Sequence, residues 1–273
     1  MTSAITHLTP TSLGGIKLQK LSAMAPRINA IIYGLPGVGK TRLCASADAV
    51  PEMRKVLLLD VDGGALSAQE LYPNVERLSI TNWDQVMNVQ RDLASGMNHG
   101  FQTVILDTGT EAQKYDQAAV MKQAAKIAAD KGEVRDEAVP SFREWGITQD
   151  HFRQMVRGFR DLPMNFLMTL HVKDQTNDLT GKVSKSPDLP GKLARQIAGF
   201  FDVVLYMYVK ELPIADGTNS DGTPKTKMVE KRLLLSAASE LIIAKDRSDK
   251  LPSIIQDMSM KYCYNTIYGG PKK

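Results

Sequence analysis

The chain has 273 residues, of which 43% are hydrophobic and 23% charged, values that are ordinary for a globular protein with a sizeable core. The net charge of +4 is too small to establish a nucleic-acid partner, although residues 151–273 carry 19 Lys and Arg against 13 Asp and Glu. Two cysteines, Cys44 and Cys263, exclude a disulfide framework. No apolar run is long enough to span a bilayer and no secretory signal opens the sequence, so we expect a cytoplasmic protein with no membrane partner.

The sequence predicts an N-terminal arm over residues 1–27, one α/β core over 28–258 and a loose C-terminal tail over 259–273. Within the core, short runs of apolar residues rich in Val, Ile and Leu each end in a glycine or a polar residue. Runs that are apolar on both faces are typical of central strands in a mostly parallel sheet covered by helices on both sides. These predicted strands are residues 28–33, 55–60, 103–107 and 165–171.

Between and after these strands the periodicity predicts helices over residues 41–49, 83–95, 111–131, 151–162 and 193–200. A polar stretch over residues 174–192 contains two turn signals. Further strands are predicted over residues 201–209, 231–236 and 241–244, the first two joined by a Gly- and Asp-rich hairpin tip. The sheet is therefore expected to begin parallel and to end with antiparallel strands.

The segment from Gly34 to Thr41 carries the strongest functional signal. Its Gly-x₄-Gly-Lys-Thr pattern fits the Walker A sequence and lies between a predicted strand and a predicted helix. Glycines allow backbone N–H groups to approach phosphates, while the lysine reaches the β- and γ-phosphates and the threonine hydroxyl binds Mg²⁺. The sequence thus predicts a site for ATP and Mg²⁺ formed by Gly34, Leu35, Pro36, Gly37, Val38, Gly39, Lys40, Thr41 and Arg42.

Two acidic positions at strand ends are candidates for the chemistry beside this loop. Asp107 ends the strand over 103–107 and is predicted to hold Mg²⁺ from the strand next to the P-loop, although an aspartate there can also cap the next helix. Asp60 and Asp62 follow another strand, where either carboxylate could orient the water that attacks the γ-phosphate or simply begin a turn.

Three later polar residues are weaker candidates. His171 ends the fourth strand, where it could sense the γ-phosphate or be an ordinary hydrogen-bonded surface residue. Lys245 and Arg247 follow the run over 241–244 and could donate hydrogen bonds to a phosphate. The alternative is that they are ordinary solvent-exposed charges with no functional role.

The order of these elements from residue 28 to 252 resembles the RecA/RadA ATPase core. The resemblance assigns the catalytic carboxylate to Asp62, with Asp in place of the usual Glu, and the Mg²⁺ aspartate to Asp107. It assigns the γ-phosphate sensor to His171, where Gln is usual. It also implies that Lys245 and Arg247 act in trans, completing the ATP site of a neighbouring subunit.

More specifically, the chain resembles the phage Sak-type, RecA-core-only single-strand annealing proteins. The shared features are its compact length, the Leu-Pro-Gly-Val interior of the P-loop, the Asp-x-Asp-Gly-Gly segment and the Lys-Asp-Arg…Leu-Pro run near its end. This resemblance implies a homo-oligomeric ring or filament in the host cytoplasm, with a single-strand DNA-binding protein as a possible further partner. It places single-stranded DNA along a disordered loop, residues 174–192, and on Lys182, Lys185, Lys192 and Arg195.

The leading hypothesis is therefore a DNA-dependent ATPase that promotes annealing or strand pairing of single-stranded DNA. A P-loop kinase of a small acceptor is an alternative, but its lid candidate at 174–192 contains lysines and no arginine. An ATP-switched adaptor of the helicase-loader type is a further alternative, since Asp62 stands where a catalytic Glu is usual.

Overall fold

A mixed β-sheet forms the centre of the molecule. The computed structural model describes residues 12–18, 20, 23–96, 99–136, 139–218 and 223–269. The strands are β1 (Ser12–Leu13), β2 (Ile16–Lys17), β3 (Asn29–Gly34), β4 (Val56–Asp60), β5 (Glu76–Ser79), β6 (Thr103–Asp107), β7 (Asn165–Thr176), β8 (Val183–Pro187), β9 (Val203–Thr218), β10 (Pro224–Leu235), β11 (Lys245–Asp246) and β12 (Ile254–Ile255).

The helices are α1 (Lys40–Ala45), α2 (Leu66–Gln69), α3 (Trp83–Ala94), α4 (Gly109–Ala129), α5 (Phe142–Arg160), α6 (Leu193–Phe200) and α7 (Met260–Tyr268). Two 3₁₀ segments, Ser46–Ala49 and Pro51–Met53, follow α1. Among the described residues, no helix combines the length and the apolar character needed to cross a membrane.

The main sheet has the order β12-β10-β9-β3-β7-β6-β4-β5. The six strands from β9 to β5 are parallel, whereas β10 and β12 continue the sheet in antiparallel pairing. This architecture confirms the predicted α/β class, with a mostly parallel sheet that ends in antiparallel strands. One expectation was wrong: Asp107 does not lie on the strand next to the P-loop strand, because β7 pairs with both β3 and β6 and separates them.

Helices cover both faces of the sheet, as the two-sided apolar character of its central strands predicts. Strand β3 shows the division, since Ile31 and Tyr33 enter one core cluster while Ala30 and Ile32 enter the other. The first cluster packs beneath α3, α5 and α6, and the second beneath α1 and α7. Strand β3, which leads into the P-loop, is therefore buried on both faces.

Residues 174–192 differ from the predicted disordered loop. Strand β7 continues to Thr176 and pairs antiparallel with β8, forming a hairpin closed by backbone hydrogen bonds between residues 177 and 182. The Asn177 side chain accepts from the N–H groups of Leu179 and Thr180 and fixes the turn. The segment is ordered because its backbone groups find partners in the extended sheet.

Two further expectations are corrected at the C-terminal end. Residues 241–244 do not form a strand; this stretch contributes one bridge between Ile242 and Lys185, and the strand β11 begins only at Lys245. Residues 260–268 are not a loose tail but the helix α7, whose Cys263 and Ile267 are buried against the second core cluster. The Ser259 side chain caps the first turn of this helix, and its apolar residues recur at helical spacing and pack on the core.

Candidate nucleotide site

The loop between β3 and α1 has the backbone geometry of a phosphate cradle. Gly39 has a φ of +110°, in the left-handed region that favours glycine. Gly34 lies so close to β9 that a Cβ atom there would stand 2.3 Å from the backbone oxygen of Met207. The two glycines of the Walker pattern are thus needed for different reasons, one for its torsion angle and one for the close approach of a neighbouring strand.

The Lys40 side chain is folded into the loop. It is buried, and its Nζ donates to the backbone oxygens of Gly34 (3.1 Å) and Leu35 (3.0 Å). Burial lowers the pKa of this amine, while the negative charges of Asp107 and Asp62 act in the opposite direction. Its loop contacts are to neutral carbonyls, which a charged phosphate oxygen can replace at a gain in electrostatic energy.

Asp107 lies at the floor of the site, where β6 ends. The Thr41 hydroxyl donates to its Oδ2 at 2.6 Å, and the Thr169 hydroxyl of β7 donates to its Oδ1. Burial raises the pKa of this carboxyl, and the two hydroxyl donors partly oppose that rise. A hydroxyl and a carboxylate at this distance form an oxygen donor set of the kind that Mg²⁺ uses together with the phosphates of a nucleotide.

The two candidate carboxylates Asp60 and Asp62 have different surroundings. Asp60 is buried at the end of β4 and pairs with Arg77 of β5 at 2.6 Å, which makes it a structural ion pair. Asp62 instead accepts from the N–H of Gly64 and faces the loop. A Cβ atom on Gly64 would lie 3.0 Å from Asp62 Oδ1 and 3.5 Å from Thr41 Oγ1, so the carboxylate and the loop hydroxyl converge here.

His171 enters the same site from β7, where it is the register partner of Gly34. Its backbone N–H donates to Thr110 Oγ1 at 3.0 Å, while its buried ring atom Nδ1 has no hydrogen-bond partner among the described residues. Burial, and then the positive charge of Lys40, lower the pKa of His171, so its imidazole is neutral at pH 7. A neutral ring with a free nitrogen can bind a polar group placed in the site.

These residues surround one open cleft of about 890 Å³, named here the P-loop cleft. Of the predicted nucleotide-binding residues, Pro36, Gly37, Gly39, Lys40, Thr41 and Arg42 line it, whereas Gly34, Leu35 and Val38 do not. Sequence reasoning missed several residues that line the cleft. They lie in or just after α2, on β10 and in the segment before α7. They are Ser67, Tyr72, Glu230, Lys231, Arg232, Gln256 and Met258.

The described residues contain no cluster of three or more His, Cys, Asp or Glu that could enclose a metal ion by itself. This composition suits Mg²⁺, which is usually bound by one or two protein groups together with substrate phosphates and water. The pair of Thr41 and Asp107 therefore fits a metal that arrives with its nucleotide.

Lys245 and Arg247 lie away from the P-loop cleft of their own chain. Lys245 donates to the backbone oxygen of Phe201 at 2.7 Å, and Arg247 pairs with Asp202 at 2.6 Å. Asp202 precedes β9, and its backbone N–H donates to the backbone oxygen of Asn29, the first residue of β3. Both cations thus lie at the opposite end of β3 from the P-loop, and no contact with their own cleft is made.

The predicted DNA-binding residues divide between two elements. Lys182 pairs with Glu240 at 3.1 Å and Lys185 pairs with Asp174 at 2.7 Å, both on the hairpin of β7 and β8. Lys192 and Arg195 are exposed at the start of α6. Exposed ion pairs such as the first two are worth only about 0–1 kcal/mol, so they do not prevent these lysines from binding another anion.

Comparison with known proteins places this geometry in a family. Residues 27–248 match the family described as AAA domain. No curated protein sequence is matched by the chain. Among solved structures, the RadB recombinase is similar with a TM-score of 0.42 and 13% identity, over 77% of this chain and 80% of that one.

Two further structures are similar over part of their length. A prototypical ATPase from the type III secretion system of pathogenic bacteria matches with a TM-score of 0.39 and 12% identity, over 66% of this chain and 51% of its own. The Legionella pneumophila ATPase DotB matches with a TM-score of 0.27 and 11% identity, over 78% of this chain and 47% of its own. Similarities this low support no functional inference.

Proposed function

The chain belongs to the AAA domain family, and on this premise we propose that it binds and hydrolyses ATP and acts on single-stranded DNA. We assign to it the annealing or pairing of strands, as in phage recombination proteins of the Sak type. The observation that carries the proposal is the convergence of Lys40, Thr41, Asp107, Asp62 and His171 on the P-loop cleft.

Each of these side chains has a role in the proposed hydrolysis. Lys40 exchanges its carbonyl contacts for phosphate oxygens, and Asp62 orients a water molecule and accepts its proton. The water oxygen bonds to the γ-phosphorus while the bond from that phosphorus to the β,γ-bridging oxygen breaks, which gives ADP and inorganic phosphate. Mg²⁺ held by Thr41 and Asp107 supplies charge neutralisation when it is bound.

The proposed DNA-binding surface combines lysines with aromatic side chains. A groove of about 490 Å³ lies between the first turns of α4 and α5 and residues 188–191. Phe142, which is 98% exposed, and Trp145 line it together with Lys114 and Lys173. Base stacking on aromatic rings and lysine contacts to phosphates are the means by which proteins bind single strands without sequence preference.

A short chain of hydrogen bonds supports coupling between this groove and the P-loop cleft. The N–H of His171 donates to Thr110 Oγ1 at 3.0 Å, and this hydroxyl donates to the backbone oxygen of Asp188 at 3.3 Å. His171 lines the cleft, while Thr110 and Asp188 line the groove. Occupation of one site can therefore displace groups that belong to the other.

The test of this function is ATP hydrolysis by the purified protein with and without single-stranded DNA, over a range of salt concentrations. We expect Mg²⁺-dependent hydrolysis that DNA stimulates, with a stimulation that fades as salt rises because phosphate contacts are lost to counterions. Lys40→Ala protein, which lacks the phosphate ligand, is the control for contaminating ATPases. ATP turnover that is independent of DNA and requires a small acceptor would favour the kinase alternative. Tight binding of ATP without hydrolysis would favour the adaptor alternative.

The role of the groove lined by Phe142 and Trp145 can be tested separately. Phe142→Ala should weaken binding of oligothymidine about tenfold, since one lost stacking contact costs roughly 1–3 kcal/mol. Ile127→Ala removes a half-exposed apolar side chain of α4 that does not line the groove, and it is the control. Fluorescence anisotropy of a labelled oligonucleotide measures both. Equal affinities for the two variants would remove the groove from the DNA-binding surface.

The in-trans site is tested by mixing two inactive proteins. Lys40→Ala lacks its own phosphate ligand, and Arg247→Ala lacks the cation proposed to reach a neighbour. The exposed position of Arg247, far from its own cleft, supports a role between subunits. Mixed assemblies should regain part of the ATPase activity, whereas no recovery at any ratio would exclude the exchange of this residue between subunits.

A further inference from the structure

Arg232 occupies the side of the P-loop opposite to the acidic residues. It lies on β10, paired with Val209 of β9, and β9 in turn runs beside β3. Asp107 approaches from the other side, since β7 and β6 follow β3 in that direction. The loop that follows β3 therefore has carboxylates on one flank and a guanidinium on the other.

The Arg232 side chain reaches across β9 to the loop backbone. A Cβ atom on Gly39 would stand 3.7 Å from Arg232 Cδ and 3.8 Å from its Nε, and 3.2 Å from the Met207 methyl group. Arg232 also lines the P-loop cleft. The distances to Arg232 are ordinary van der Waals contacts, so the stem of this arginine lies directly against the backbone of the loop.

The guanidinium of Arg232 has no partner among the described residues. Within the part of the chain that the structure describes, Arg232 makes no side-chain hydrogen bond or ion pair. Other arginines of the fold, such as Arg77 with Asp60 and Arg247 with Asp202, are matched to a carboxylate at 2.6 Å. Arg232 therefore has its donors available in a cleft.

The charge around it favours an anion. Lys40, Arg42 and Lys231 line the same cleft as Arg232, and Glu230 is the one acidic side chain that β10 adds there. A planar guanidinium offers paired N–H donors that match two phosphate oxygens at once. A polyphosphate is the ligand that this arrangement fits, because it brings several such oxygens to a loop already built for them.

We propose that Arg232 binds the phosphate chain of ATP within its own subunit. The inference rests on the proposed function, because it requires that ATP occupies the P-loop cleft. Arg232 belongs to the same chain as the P-loop and can contact ATP in a single subunit. Lys245 and Arg247, in contrast, are proposed to act only when a neighbouring subunit is present. A single chain is therefore expected to bind ATP without a neighbour.

The test is the dissociation constant of ATP with Mg²⁺, measured by isothermal titration for the wild type and three variants. Arg232→Ala should weaken binding about tenfold or more, as loss of a charge-assisted contact does. Arg232→Lys should recover part of the loss, since it keeps the charge but not the paired donors. Lys227→Ala removes a cation from the same strand outside the cleft, and its affinity should equal that of the wild type.

Thermal unfolding of the same proteins separates binding from folding. Arg232 is exposed, so its replacement should leave the melting temperature within a degree or two of the wild type. If Arg232→Ala is unstable, Arg232→Gln, which keeps the length of the side chain better, takes its place. Wild-type ATP affinity in a folded Arg232 variant overturns this inference alone, whereas failure of the wild type itself to bind ATP overturns the proposed function.

Discussion

Asp107→Asn is expected to reduce ATP hydrolysis roughly a thousandfold, or about 4 kcal/mol in activation free energy, while it raises the free energy of unfolding of the protein without nucleotide. The side chain keeps its shape but loses the charge that would hold Mg²⁺ beside Thr41. The gain in stability follows because burial raises the pKa of Asp107, which means that the folded protein is destabilised when this carboxyl ionises.

The raised pKa of Asp107 also determines how the unfolding free energy changes with pH. An aspartate whose folded pKa lies above its unfolded value of about 3.9 contributes stability below that value and loses it as pH rises through the folded pKa. The unfolding free energy of the wild type should therefore fall relative to that of Asp107→Asn as pH rises above about 4. Denaturant unfolding at a series of pH values measures the difference.

Asp60→Asn is the matched control for this experiment. Asp60 is also a buried aspartate at a strand end and is the register partner of Asp107, but it pairs with Arg77 and lies outside the P-loop cleft. Its replacement should cost stability because an ion pair is broken, and it should affect hydrolysis far less. Wild-type turnover by Asp107→Asn, or a larger loss in Asp60→Asn, would contradict the assignment of the Mg²⁺ ligand.

Gly34→Ala should unfold the nucleotide site and lower the stability of the whole protein by about 3 kcal/mol or more, the upper range for overpacking. The added Cβ would stand 2.3 Å from the backbone oxygen of Met207, a distance that no side-chain adjustment can relieve. Strands β3 and β9 would have to move apart at the point where the P-loop begins. Denaturant unfolding and ATP titration measure the two effects.

Gly146→Ala provides the comparison, since it makes the same chemical change inside α5 with no atom within 4 Å of the new Cβ. This variant should gain roughly 0.5–1 kcal/mol, because alanine favours helices over glycine. Equal stabilities for the two alanine variants would mean that β3 and β9 are not as close at Gly34 as the structure has them.

Strand ends and the P-loop were within reach of sequence reasoning because they depend on local pattern. The apolar runs predict β3, β4 and β6 to within a residue, and the polar ends of the runs for β6 and β7 place Asp107 and His171 at one edge of the sheet. The start of α5 at Phe142 also has a local signal, because Ser141 and Glu144 form a capping box. The predicted helix over residues 151–162 begins too late because it relied on apolar periodicity alone.

The remaining features depend on strand order, which local pattern does not contain. Arg232 reaches the P-loop only because β10 pairs with β9 and β9 pairs with β3 in the same sheet. The sequence around Arg232 is that of an ordinary exposed strand. The same order separates Asp107 from the P-loop strand by β7. The helix α7, in contrast, has local signals, since Ser259 caps its first turn and Met260, Cys263, Tyr264 and Ile267 recur at helical spacing.

Titration of ATP and Mg²⁺ into wild-type and Lys40→Ala protein tests the central claim most directly. We expect one ATP bound per wild-type chain and no binding to the variant, because Lys40 is the buried ammonium that the loop presents to phosphate. Binding of equal strength to both proteins, or no binding to a folded wild type, would contradict the assignment of the P-loop cleft as the ATP site.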